Sequence, residues 1–265
     1  MSKVLWGGTH RQIKSFLEQG RFVCFSGTPC QIEGLKNFLK KDYDNLITVD
    51  VVCRAVPSPL IFRKYVEYQK KVLSDNIKTV RFRDKHYGYK YSTMNVITDR
   101  NHGNYYQGVE SDPWLRAFSL IFVTDHRAIH VISESSIVLV ILRYGIALML
   151  AGSQKDNDKG ATRVLVHTKK GREIFNAIKD DFSYVEIAPE AAVAGAKEMK
   201  ESVAPNEKRE SFFKDANRMS GEELFNKYFP ETFKVKAEHC IRLTCYKLGI
   251  YSVAKKLYVR LTHKY

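Results

Sequence analysis

The residues of this sequence that can do chemistry gather at two places near its start. Ser26-Gly27-Thr28-Pro29-Cys30-Gln31 joins a short apolar run to a segment of helical periodicity. Such a turn presents backbone N–H groups and a hydroxyl at a helix N-terminus, where they can hold a phosphate or lower a thiol pKa. Cys30, in the first helical turn, suits a thiolate nucleophile or a cluster ligand; a small buried cysteine behind a proline turn has the same local sequence. Cys53 closes the run LITVDVVC, residues 46–53, and precedes Arg54-Ala55-Val56-Pro57-Ser58-Pro59. In an open α/β sheet both thiols would follow the carboxyl ends of strands, where ligand crevices form. Two thiols there suggest a metal, but a [4Fe–4S] cluster takes four ligands. Cys24, inside the first apolar run, reads as core. Cys240 and Cys245 read as packing on a helix.

The elements that must position these groups follow from periodicity. Residues 9–19 read as a helix stopped by Gly20, 21–26 and 46–53 as buried strands, and 31–39 and 60–73 as helices. Strand–helix–strand–helix order favours a parallel α/β core. Residues 77–83 and 91–98 read as strands of an added antiparallel sheet, and 112–118 as a short helix behind a Ser-Asp-Pro cap. Residues 164–168, 171–179 and 184–187 read as another strand, helix and strand. From Asn206 onward the pattern is helical and increasingly charged. The fold class expected is α/β, with a parallel-sheet core and a basic helical C-terminal tail.

The chain has 265 residues and a formal net charge of +14. Residues 234–265 hold eight Lys and Arg against one Glu, a net +7, so half of the excess belongs to the tail. Five cysteines, an odd number, and no apolar signal-peptide core in residues 1–20 point to a reduced, cytoplasmic setting. The apolar run of residues 137–150 is shorter than the roughly 20 residues a spanning helix needs and carries Arg143, which favours a buried strand or helix.

A resemblance runs through these segments in order. The run SGTPCQIEGLKNFLKKDYDNLITVDVVCRAVPSP, VRFRDKHYG at 80–88, DPWLRAF at 112–118, DKGATRVLVHTKKG at 158–171 and PNEKRESFF at 205–213 resemble the beta-subunit family of coenzyme F420 hydrogenases and dehydrogenases, in its C-terminal region. The resemblance spans most of residues 10–230, with 231–265 left as a basic helical tail. It implies an oxidoreductase subunit carrying FAD and [4Fe–4S] clusters, of the coenzyme F420 or the bacterial polysaccharide-biosynthesis type. Cys30 and Cys53 would then be metal ligands. Ser26, Gly27, Thr28 and Gln31 would line a cofactor pocket, and Arg81, Arg83 and Lys85 would face an anionic cofactor; a solvated strand edge is the other reading of those three cations. An electron-transfer partner protein, or a ferredoxin-like domain missing upstream, is expected.

The pattern also breaks. CRAVPS stands where the family has CHGVPS, and Tyr89 stands where tryptophan is usual. Around residues 119–150 the family's RPSCYxCxF is missing. Codons can be chosen for residues 125–134 that, read one base earlier, spell RPSCYTCHFR. This predicts a frameshift around residues 119–145, in a truncated and impaired copy. The rival reading is a cluster-free α/β binding protein whose amphipathic basic tail docks on an anionic membrane or a partner; nucleic acid is not expected.

Overall fold

The computed structural model describes residues 8–100, 105–125, 142–146, 162–166, 168–181, 184–188 and 204–262. The chain divides into two compact units. One comprises Met1–Arg54, His130–Gly152 and Ala161–Val203; the other comprises Ala55–Ile129, Ser153–Gly160 and Ala204–Tyr265.

In the first unit, helix α1 (Thr9–Glu18) buries Ile13 and Leu17 on one face. It stops at Gly20, whose φ of 75° favours glycine. The Asn45 side chain donates to the carbonyls of Leu17 and Arg21, at 3.0 and 2.8 Å, and so pins the turn into strand β1 (Val23–Gly27). Helix α2 (Pro29–Leu39) then crosses to strand β2 (Leu46–Val51), which pairs parallel with β1 from Val23 opposite Leu46 to Gly27 opposite Asp50. Ile32, Leu35 and Leu39 of α2 close a core with Ile13, Leu17, Phe25 and Leu46.

Strand β6 (Leu142–Ile146) continues the parallel pairing beside β2, and β7 (Thr162–Val166) runs antiparallel to β6, giving the order β1-β2-β6-β7. Helix α5 (Lys169–Ile178) follows, capped by the Thr168 hydroxyl, which accepts from the Gly171 amide at 3.0 Å. The Lys170 ammonium reaches the carbonyls of Asp44 and, at 2.7 Å, Leu46.

Two expectations change here. The first strand is not buried throughout: Phe25 alone is buried and Cys24 is exposed, because β1 lies at the outer end of the strand order with one face turned to solvent. Residues 184–187 form no strand; Val185 is exposed, and Tyr184 packs edge-on against Phe175. Of the apolar run at 137–150, residues 142–146 form β6 and the rest lie outside the described residues, as do 126–136 of the suspected frameshift. Among the described residues, no helix is long and apolar enough to cross a membrane.

In the second unit, strands β3 (Ile77–Tyr87), β4 (Tyr91–Thr98) and β5 (Tyr105–Gln107) form an antiparallel sheet. Helices α3 (Pro59–Val72), α4 (Pro113–Ser119), α6 (Arg209–Ala216) and α7 (Gly221–Tyr228) supply its apolar partners. Ile61, Tyr65, Met94, Trp114, Phe212 and Phe225 are buried in one core. Helices α8 (Phe233–Lys247) and α9 (Tyr251–Thr262) also belong to this unit.

β3 runs four residues past the expected end. Its register with β4 shifts at three points, between Ile77 and Thr79, Arg81 and Asp84, and Asp84 and Tyr87, and Arg83, with a φ of 54°, lies within the second. The short helix α4 begins as expected, with the Asp112 carboxylate accepting from the Leu115 amide at 2.8 Å.

Candidate functional site

At the carboxyl edge of the parallel pair, β1 ends in Gly27 and leads directly into α2. Thr28 is the N-cap. Its amide donates to Gln31 Oε1 at 2.8 Å, and its carbonyl accepts from the amides of both Gln31 and Ile32. Gly27 is required by this cap: a Cβ there would stand 2.9 Å from Gln31 Oε1. Pro29 has no N–H to give. Of the residues expected to line a cofactor pocket, Thr28 and Gln31 thus have their amides engaged in closing the helix end, as does the neighbouring Ile32. Ser26 is exposed on β1.

Cys30 sits half-buried in the first turn of α2, its Sγ 3.2 Å from the Thr28 hydroxyl. Cys53, also half-buried, lies two residues beyond β2. Since Gly27 and Asp50 are register partners, both cysteines follow the same edge of the sheet. Cys24 sits within β1, and Cys240 and Cys245 sit on α8 in the second unit. Among the described residues, no three Cys, His, Asp or Glu side chains gather to hold a metal. Two thiols do not fit a cluster that takes four.

In the second unit, Arg81, Arg83 and Lys85 are exposed along β3 while Phe82 and Asp84 between them are half-buried. The Asn95 amide on β4 donates to Asp84 at 3.1 Å, which fixes the inward side of the strand at its irregular point. Tyr89, in the turn after β3, lies under two of the cations: Arg83 is 5.8 Å and Lys85 5.1 Å from its ring centroid. The result is a row of three exposed cations, two of them against an aromatic face, a surface that suits an anion with a planar group attached.

A second cluster in this unit has no counterpart among the sequence-derived candidates. The Glu110 side chain is 1 % exposed. Its Oε1 accepts from the Tyr91 hydroxyl at 2.7 Å and lies 2.9 Å from His239 Nδ1, while Arg242 stands 3.9 Å from Oε2. Burial raises the Glu110 pKa, but hydrogen bonds from His239 and Tyr91 and the charge of Arg242 outweigh it, so the carboxyl stays below its usual range. Burial and the carboxylate push the Tyr91 phenol up, keeping it a donor. Gly108 makes room: a Cβ there would lie 2.3 Å from Glu110 Oε2. The aromatic rings of Tyr246 and Tyr251 pack on Tyr91, at 6.2 and 5.0 Å between centroids. The arrangement ties α8 and α9 to the antiparallel sheet. The pairing spans 129 residues of sequence, and the one local trace of it is the glycine two residues before Glu110.

No curated protein matches the chain. Residues 20–111 match a family model, and this stretch contains the β1–α2–β2 unit, both candidate cysteines, the three β3 cations and Glu110. The model is that of the C terminus of the coenzyme F420 hydrogenase/dehydrogenase beta subunit, and it is this family that residues 20–111 resemble.

Proposed function

We propose that this chain is an oxidoreductase subunit that binds FAD and passes electrons to or from a partner protein. The observation that carries the reading is the family match over residues 20–111. It is supported by the exposed row of Arg81, Arg83 and Lys85 inside that stretch, with Tyr89 against two of them. These cations would hold the pyrophosphate of FAD, whose charge they complement and whose two phosphates match the forked guanidinium. When bound, the flavin supplies one- or two-electron chemistry. The chain's own residues supply the rest: cationic binding on β3 and an aromatic face at Tyr89.

FAD titration of the purified full chain tests this. Binding should be seen by quenching of flavin fluorescence and should weaken at least about tenfold, the equivalent of 1.4 kcal/mol, in an Arg81→Ala/Arg83→Ala/Lys85→Ala variant. That variant should keep its circular dichroism, since all three side chains are exposed. No binding by the parent chain, or equal binding by the variant, would remove the proposal.

A further inference from the structure

Helix α9 turns an apolar stripe to solvent. Ile250, Val253 and Leu257 recur at helical spacing, and they are 48 %, 61 % and 53 % exposed. Leu248, in the turn before them, is 67 % exposed. The buried side of this segment is set by Tyr251, which packs on Tyr91, so the stripe is not the face that docks α9 on its own unit. A packed core helix would bury these positions. Here they are left out, and aliphatic side chains exposed together in one segment form a patch of the kind that marks an interaction site.

The charge pattern says which surface. Lys247 is exposed at the end of α8, just before Leu248. In the sequence, Lys256 follows Val253 by three residues and Arg260 follows Leu257 by three. No acidic residue occurs from Lys247 to Thr262. A segment that turns aliphatic side chains to solvent and carries cations but no acid in its sequence, on a helix too short to span a bilayer, has the form of an element that lies in a lipid interface. A protein partner would need acidic groups set against each cation, whereas an anionic phospholipid surface meets all of them at once.

We propose that α9, with the turn at Leu248–Ile250, is a peripheral docking surface for anionic phospholipid. The aliphatic side chains enter the acyl boundary and the cations engage the headgroups.

Co-sedimentation of the full chain with vesicles tests this. The chain should pellet with phosphatidylcholine–phosphatidylserine vesicles and stay in solution with phosphatidylcholine alone, and added salt should release it. Val253→Asp/Leu257→Asp should lose at least about tenfold in affinity with unchanged circular dichroism, both positions being exposed. A Lys247→Gln/Lys256→Gln/Arg260→Gln variant should lose the phosphatidylserine dependence. The proposal fails if the parent chain ignores anionic vesicles or if either variant binds as the parent does. It also fails if light scattering without lipid shows a dimer that Val253→Asp/Leu257→Asp dissociates, for then a second copy covers the stripe.

Discussion

Asp112 is fully buried, yet it accepts hydrogen bonds from the hydroxyls of Tyr65 and Tyr105, at 2.7 and 2.8 Å, and from the Leu115 amide. Burial pushes its pKa up to about 6 in spite of those donors. A carboxyl raised in the folded state is protonated more readily there than in the unfolded chain. Its contribution is therefore fully present below the unfolded value near pH 4 and is lost as pH rises through about 6. The shift corresponds to something on the order of 3 kcal/mol. Urea unfolding at pH 4 and pH 7 should show this loss in the parent chain and a much smaller one in Asp112→Asn. Equal pH dependence in the two would show that the carboxyl ionises without hindrance. The cap itself could be read from Asp112-Pro113, because an N-cap is a local event. The partners of the carboxylate could not, since Tyr65 lies 47 residues away and nothing in either local sequence announces the other. Glu110 and His239 were hidden for the same reason.

At the scale of elements, periodicity located most helices and strands within a few residues, since amphipathic spacing is a property of the segment itself. It misjudged places where a neighbour decides. β1 looked like a buried strand by composition, but its position at the end of the strand order exposes Cys24 and Ser26. β3 runs on to Tyr87 past a left-handed Arg83 that pattern alone does not suggest. The contact of α3 with α7 is another such case. A Cβ on Gly221 would stand 2.1 Å from the Lys64 carbonyl and 3.0 Å from the Tyr68 amide. Both atoms are backbone, so a larger residue forces the helices apart. Gly221→Ala should cost about 1–3 kcal/mol, the usual range for overpacking, and a denaturation midpoint equal to the parent's would refute the close approach.

At the scale of the molecule, the family resemblance was legible because it rests on linear runs; the matched stretch of residues 20–111 takes in the first two of them, at 26–59 and 80–88, while those at 112–118, 158–171 and 205–213 lie beyond it. The site was legible in part. Cys30 and Cys53 do follow one sheet edge, and the β3 cations are exposed, but the turn at Thr28 is occupied by its own cap. The segment around residues 119–145 carries a separate prediction. Raw DNA reads should show a reading frame one base earlier that encodes a cysteine pair in place of residues 125–134; stops in that frame would end the idea.

The account's central claim is a flavin-binding redox subunit whose own cysteines do not complete a cluster. The most direct measurement is the visible absorption spectrum of the full chain after anaerobic incubation with FAD, iron and sulfide and removal of excess reagents, with iron counted on the same sample. The account predicts flavin bands with far less than one iron per chain. A colourless protein, or one holding about four irons that are lost on Cys30→Ala, would contradict it.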